Sequence, residues 1–437
     1  MRTSNDEISA CPTSIIDQPK KVSTLREIVA ASLGNAFEWF DFIIYGYFAT
    51  ILAKLFYPPG DDFTALLLVM STFALGFIVR PLGSVIFGLY SDRYGRKKAL
   101  LLTIWLMVAG TAGIGLAPTY ELAGWTGAIV IVIARLLQGF ASSGEYGSAV
   151  AFLVEKAPPE RRNLYASFQM TSTMLAIVMA GVTGTLMVQF LDQQALESWG
   201  WRVPFLFGLL IGPVGYYIRK SVDETTEFKS AASLSGKLVL QKIFGEHLRS
   251  TMAALMITVA GTVSFYLLLV YMPTFARREL ELGGITPFLS STLAGIVLII
   301  ICPLTGFLAD KISPKALLGG GLVMMAAAAY PFFAWLISAP SPARLMTTMA
   351  LVSIPLAIIS ALTPAVVSNL YPAEVRSTGL SITYNIPPTL FGGLSPLVVS
   401  YLIATTGDKA APAYYIVLVA TVGLAGVLTL GLKQKNR

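Results

Sequence analysis

Histidine occurs once in this chain, at position 247, and cysteine twice, at Cys11 and Cys302. His247 lies in a charged connection, so a histidine relay inside an apolar segment is excluded, and any proton relay there must use carboxylates. Cys11 falls in a polar tail and Cys302 in an apolar run, which argues against a disulfide or a thiolate metal pair. Charge is scarce as well. Only 13% of the 437 residues are charged and 55% are hydrophobic, with a mean hydropathy of +0.70. A soluble protein carries about a quarter charged residues. No GxxxxGK[ST] run exists, so nothing supports ATP-driven pumping by this chain. One linker histidine leaves no Ser/His/Asp set, and nothing else suggests a membrane enzyme. The net charge of +7 is a loop bias, shown below, and not a nucleic-acid surface.

What is present is long apolar runs. A membrane helix needs roughly 20 such residues to cross about 30 Å of hydrocarbon. Twelve are predicted, at 27–53, 63–89, 99–117, 123–153, 164–190, 201–219, 249–275, 288–309, 316–338, 345–370, 378–404 and 412–432. They are too long for the short alternating segments of a β-barrel. The first 26 residues are polar, and the first run lacks a small-residue cleavage site, so no cleavable signal peptide is expected and span 1 stays inserted. With the N-terminus in the cytoplasm, 23 of the 31 Lys and Arg fall in cytoplasmic segments, six in external ones, and two (Arg80 and Arg135) inside spans. That asymmetry predicts both termini inside.

The chain repeats itself. The stretch GLYSDRYGRKK, residues 88–98, sets Asp92 before the cations Arg93, Arg96, Lys97 and Lys98. Its charges and irregular backbone need water or protein partners, so it reads as a tight cytoplasmic loop between spans 2 and 3. GFLADKISPK, residues 306–315, keeps Gly306, Asp310, Lys311 and Lys315 in register at a shift of 218. Glu160-Arg161-Arg162 is echoed by Glu374-Val375-Arg376 at a shift of 214. Repeats at half the chain length predict two related halves: a cytoplasmic tail 1–26, a six-helix bundle 27–219, a linker 220–248, a second bundle 249–432 and a tail 433–437.

Several polar groups sit inside spans. Glu38 and Asp41 in span 1, three residues apart, share a helix face, as do Arg135 and Gln138 in span 4. Glu145 follows about two turns later, and Arg80 precedes Pro81 in span 2. A charge at the bilayer centre costs at least about 2.5–3.5 kcal/mol, so these groups must face protein or water. They can be an ion-pair scaffold that ties the spans together, or a proton and substrate site with Asp41 and Glu38 as acids. The second half has no strong charge within a span. Its candidates are the hydroxyls and amides of Tyr266, Tyr271, Thr363, Asn369, Tyr384 and Asn385, which also serve as helix-to-helix hydrogen bonds. Glycines at 139, 144, 147, 181 and 184 predict close helix packing. Pro387, Pro388, Gly392, Gly393 and Pro396 predict a kinked or unwound span 11.

At these residues the chain resembles a known family. GLYSDRYGRKK and its half-chain echo resemble the signature loop of the major facilitator superfamily, and ARLLQGF in span 4 resembles the Arg-x-x-Gln-Gly motif of its proton-coupled members. NAFEWFDFIIYG, FIVRPLG and YPAEVRSTGLSITYNIPPTLFGG look like the metabolite–proton symporters, and WGWRVPF with IRKSVDETTEF resembles their citrate and tricarballylate branch. The resemblance covers nearly the whole chain. It implies an all-α membrane fold of twelve helices in two pseudo-symmetric six-helix bundles. It implies gating by Asp92, Arg93 and Arg96, and proton or substrate roles around Glu38, Asp41 and Arg135. Ser313 and Pro314 stand where the first loop has Gly95 and Arg96, so a looser second latch is expected.

The combined expectation is a secondary transporter, not an enzyme, that works by alternating access. It takes up a small carboxylate anion with protons as the coupling ion, without other cofactor or metal. Arg80, Arg135, Gln138, Tyr384 and Asn385 are the expected substrate contacts. Asp310, Glu160, Arg162, Glu374 and Arg376 join Asp92, Arg93 and Arg96 as the cytoplasmic latch. A multi-pass protein of the cell (inner) membrane, functional as a monomer, is expected. The alternatives are a proton-coupled proline or betaine carrier and a drug–proton antiporter.

Overall fold

The computed structural model describes residues 24–83, 86–87, 90, 96–144, 158–210, 212–213, 241–371 and 373–431, with the side chains of 24–34, 96–100, 144, 159, 373–378, 381 and 431 outside the description. Asp92, Arg93 and Glu145, and the side chains of Arg96, Glu374 and Arg376, therefore lie outside the described residues.

Helices occupy all twelve expected places. Span 1 is Thr24–Tyr47 continued by Ala49–Phe56, and span 2 begins at Asp62. Spans 3 to 6 are Arg96–Leu116, Thr126–Ala141, Arg162–Phe190 and Arg202–Gly208. Span 7 runs Leu248–Arg278, and spans 8 to 10 are Thr286–Ala309, Pro314–Ser338 and Pro342–Ser368. Span 11 runs from Ala373 to Thr406, and span 12 is Ala411–Gly431. Eight described helices are long and apolar enough to cross a membrane, and the bent pair in span 1 makes nine. The outward faces carry large apolar side chains, such as Trp105, Ile129 and Leu304 at 61%, 57% and 57% exposure. Such faces suit lipid.

The helix ends follow local chemistry. Asp61 accepts from the backbone N–H of Phe63 and Thr64 at 3.1 and 2.9 Å, satisfying two first-turn donors of span 2. Pro287, Pro314 and Pro342 open spans 8, 9 and 10, where a missing N–H costs nothing.

Packing repeats after six helices. Span 3 packs on 4 and 6 as span 9 packs on 10 and 12; span 2 packs on 4 as 8 packs on 10; span 1 packs on 5 as 7 packs on 11. This is the two-bundle, pseudo-symmetric fold that the repeats predict. The halves meet along two seams, span 5 on span 8 and span 2 on span 11. The first seam needs glycine. A Cβ at Gly184 would press into the Phe288 ring, one at Gly295 would lie 2.8 Å from Val178, and one at Gly306 would lie 2.8 Å from Ser167.

Spans 1, 7 and 11 depart from straight rods. Span 1 bends by 65° between Tyr47 and Ala49. Just before the bend Gly46 lies so close to span 7 that a Cβ there would meet Val270 Cγ1 at 2.5 Å. Span 11 stays helical through Pro387 and then widens into a π-helical turn, Pro388–Gly392, so its proline–glycine cluster re-pitches the helix. Span 7 also carries a π-helical stretch, Tyr266–Tyr271, which periodicity alone gives no way to anticipate.

Candidate functional site

Three charged side chains are fully or almost fully buried among the described residues: Asp41 and Arg135 at 0% exposure and Arg80 at 5%. All belong to the first half. The direct Asp41–Arg135 pair that a shared-site reading suggests is not formed; two neutral groups stand between them. Arg135 Nη1 donates to Gln138 Oε1 at 2.9 Å, and Gln138 Nε2 donates to Thr111 Oγ1 at 2.9 Å. The Thr111 hydroxyl then donates to Asp41 Oδ2. Spans 4, 3 and 1 each supply a link. Arg135 and Gln138 meet because they are three residues apart on one helix face. On the other side of Asp41, span 6 presents Gly208, and a Cβ there would collide with Asp41 Oδ1.

The chain leaves atoms over. Asp41 Oδ1, Arg135 Nε and Nη2, and Arg80 Nε are buried without a hydrogen-bond partner. Both guanidiniums rest on aromatic faces. Arg135 sits 3.8 Å from the Tyr45 ring centroid and 5.3 Å from Phe42. Arg80 sits 4.3 Å from Phe77, 4.8 Å from Phe42 and 5.7 Å from Trp39. Phe42 thus lies between the two cations. Cation–π contact offsets part of the desolvation cost, on the order of 2 kcal/mol at a dry site.

Beside this cluster a small cavity opens between the halves. It leaves about 50 Å³ for the centres of water-sized molecules, enough for a few waters. Trp39 and Thr173 line it from the first half; Thr258, Thr262, Tyr266, Ser360, Thr363 and Tyr384 line it from the second. Trp39 links cavity and cluster, since its ring lines the cavity and also carries Arg80. Tyr266 closes one wall, edge-on to Phe77 at 5.3 Å and to Phe73 at 6.0 Å. The halves also touch through hydrogen bonds. Thr389 Oγ1 donates to Phe77 O at 2.9 Å, and Arg277 Nη1 donates to Thr50 Oγ1 at 3.2 Å.

The structure sorts the sequence candidates. Tyr266, Thr363 and Tyr384 line the cavity; Arg80 touches its wall; Arg135 and Gln138 lie in the buried chain behind. Asn385 is half-buried and absent from the lining. Tyr271 donates nothing to the cavity and instead accepts from Ser400 Oγ at 2.9 Å. Asn369 is exposed at the end of span 10, away from the others. Glu38 is half-buried next to Trp39. Sequence reasoning misses Thr111, a lone hydroxyl between Gly110 and Gly113 with no periodic signal. It also misses Thr258 with Thr262, whose four-residue spacing places both on one face.

At the face where span 1 begins and span 12 ends, Asp310 meets the start of span 5. Its Oδ1 accepts from Asn163 N at 3.0 Å and Asn163 Nδ2 at 2.9 Å, and its Oδ2 accepts from Leu164 N at 3.2 Å. The second-half loop is therefore engaged, through a helix end and not a charge pair. Glu160 and Arg162, on the same helix start, are exposed.

Comparison with known proteins agrees with this architecture. Residues 31–386 match the profile of the Major Facilitator Superfamily. A citrate-proton symporter of Klebsiella pneumoniae is 34% identical over 400 residues, 91% of this chain and 89% of that protein. A citrate-proton symporter of Salmonella typhi is 31% identical over 94% of both chains. A putative proline/betaine transporter of Staphylococcus aureus strain COL is also 31% identical, over 97% of this chain and 91% of that one. The crystal structure of a D-xylose-proton symporter superposes with a TM-score of 0.74 at 17% identity, covering 93% of this chain and 97% of that one; at that identity the likeness speaks for the fold alone. A twelve-helix, two-bundle chain with buried charge in its first half, matched over most of its length by these relatives, belongs to the Major Facilitator Superfamily and is a membrane transporter, not an enzyme.

Proposed function

We propose that this protein is a proton-coupled symporter that takes up a small carboxylate anion of the citrate or tricarballylate type by alternating access. One observation carries the reading: among the described residues the fully buried charges are two arginines and a single carboxylate. Unpaired N–H groups of Arg135 and Arg80 lie buried beside a cavity whose far wall is neutral hydroxyls. A buried positive excess is costly unless an anion neutralises it. A carboxylate fits the planar guanidinium fork, and similarity to citrate-proton symporters supports the same class.

Protons are the coupling ion, with no other cofactor, and Asp41 is the first candidate to bind one, Glu38 the second. Each positive charge moved inward gains about 2.3 kcal/mol per 100 mV, so accompanying protons make entry of a polyanion easier. Two six-helix units joined by 220–248 rock about the seams of spans 5/8 and 2/11. Both termini lie in the cytoplasm of a cell (inner) membrane, and the loops carrying Asp92 and Asp310 latch that face. The unit of function is the monomer in its bilayer.

The test is Asp41→Asn in proteoliposomes. The pH-driven accumulation of labelled citrate should vanish, while exchange of labelled for unlabelled substrate persists. Intact accumulation would remove Asp41 as the coupling site. A second reading, a zwitterion carrier of the proline or betaine class, draws on the aromatic cavity wall of Trp39, Phe265 and Tyr266 and on the Staphylococcus relative. Competition of citrate against betaine for uptake separates the two.

A further inference from the structure

The links between Arg135 and Asp41 have a fixed direction. Arginine only donates, so Gln138 must turn Oε1 toward it. That leaves Nε2 toward Thr111, which therefore accepts, and the single hydroxyl proton of Thr111 must go to Asp41 Oδ2. Every donor points from the arginine toward the carboxylate. In this arrangement Asp41 is an acceptor at Oδ2, and a proton on Oδ1, buried without a partner beside Gly208, would find no acceptor. Arg135 on span 4 is the charged group acting on Asp41. Among the described residues, span 3 brings Thr111 and span 6 brings Gly208 to the carboxylate.

The geometry points to Thr111 and Gln138 as a reversible hydrogen-bond relay that couples anion binding at Arg135 to proton binding at Asp41. This rests on the symport reading above and adds two positioning residues to it. When a substrate carboxylate docks on the Nη1/Nη2 edge of Arg135, taking the unpaired Nη2 together with Nη1, it displaces Gln138 Oε1 from Nη1. The amide turns, Oε1 faces Thr111, and Nε2 donates to the substrate. The Thr111 proton rotates from Asp41 Oδ2 to Gln138 Oε1. Asp41 Oδ2 takes one proton from water and donates it to Thr111 Oγ1. Each hydrogen bond of the first chain has a counterpart in the second, and one proton has been gained for one anion bound. With only one of the two ligands present, the chain has two donors facing each other or two acceptors facing each other. Such a mismatch at a buried site typically costs about 1–3 kcal/mol, so each ligand tightens the other.

The experiment measures the citrate KM against pH in proteoliposomes of the full chain for wild type, Thr111→Val, Thr111→Ser and Asp41→Asn. In wild type, KM should fall by about tenfold or more as pH falls through the coupling range, the size a mismatched buried hydrogen bond implies. Thr111→Val keeps the shape and removes the hydroxyl, so its KM should lose that pH dependence. Thr111→Ser should restore it. Gln138→Leu breaks the next link and serves if the valine variant is not inserted; it too should flatten the profile. A wild-type pH dependence in Thr111→Val or Gln138→Leu, with a flat one in Asp41→Asn, overturns the relay and leaves the symport reading standing. A wild-type pH dependence in Asp41→Asn overturns both.

Discussion

Asp310→Ala should weaken the contact between the halves at the face where span 1 begins and span 12 ends. The carboxylate accepts three hydrogen bonds from the start of span 5, two of them from backbone N–H groups of Asn163 and Leu164. These are orphan first-turn donors of a 29-residue helix, Arg162–Phe190. A side-chain cap of this kind contributes about 0.5–2 kcal/mol, and a negative charge at the positive end of a helix adds about 0.3–1 kcal/mol. The site is partly buried, so water replaces the lost acceptor only in part. A total of about 1–3 kcal/mol then shifts the balance between contacting and separated states by roughly 5- to 150-fold. The cavity reports the shift. Ser360 lines it at 7% exposure, so Ser360→Cys in a Cys11→Ser background gives one thiol to label; native Cys302 is fully buried. With a membrane-impermeant maleimide applied from the Asp310 face, Asp310→Ala should label at least about fivefold faster than its parent, and citrate uptake should slow. Unchanged labelling together with unchanged uptake would show that Asp310 caps the helix without gating.

Three further outcomes are expected. Arg135→Lys should lose most citrate uptake although the charge is kept, because an ammonium cannot present a planar fork or lie flat on Tyr45; wild-type uptake would refute bidentate recognition. Gly139→Ala should sharply lower the folded yield after solubilisation, since its Cβ would land on the Gly76 carbonyl oxygen where spans 2 and 4 touch, an overpacking that costs about 1–3 kcal/mol or more. The Asp61 carboxyl is held below its ordinary range, first by the Thr64 hydroxyl and then by the Thr64 backbone N–H. A lowered group stabilises above its unfolded pKa and loses that effect as pH falls through the folded one. Hydrogen exchange at the Phe63 and Thr64 amides should therefore be faster in Asp61→Ala than in wild type at neutral pH, with the gap closing in acid below the usual carboxylate range.

The sequence by itself determined the solvent, the number of spans and the symmetry. Apolar runs of membrane length cannot be accommodated any other way, and the GLYSDRYGRKK loop recurs at half the chain length. It also singled out Asp41, Arg80 and Arg135, because a charge in such a run needs a partner. What it could not decide is which partners those charges find. Residues three apart on one helix are legible, which is why spacing alone pairs Arg135 with Gln138. Thr111 lies 70 residues from Asp41 and 27 from Gln138, and contacts at that separation are fixed by how spans 1, 3 and 4 pack. Only the tertiary structure replaces the expected ion pair with an oriented chain. It also puts Gly208 against the carboxylate, sends Tyr271 to Ser400 and leaves Asn369 outside. The physical reason is common to all of them. Composition and periodicity report what each helix face must avoid, whereas a buried polar atom is satisfied by whichever donor a neighbouring helix brings within about 3 Å.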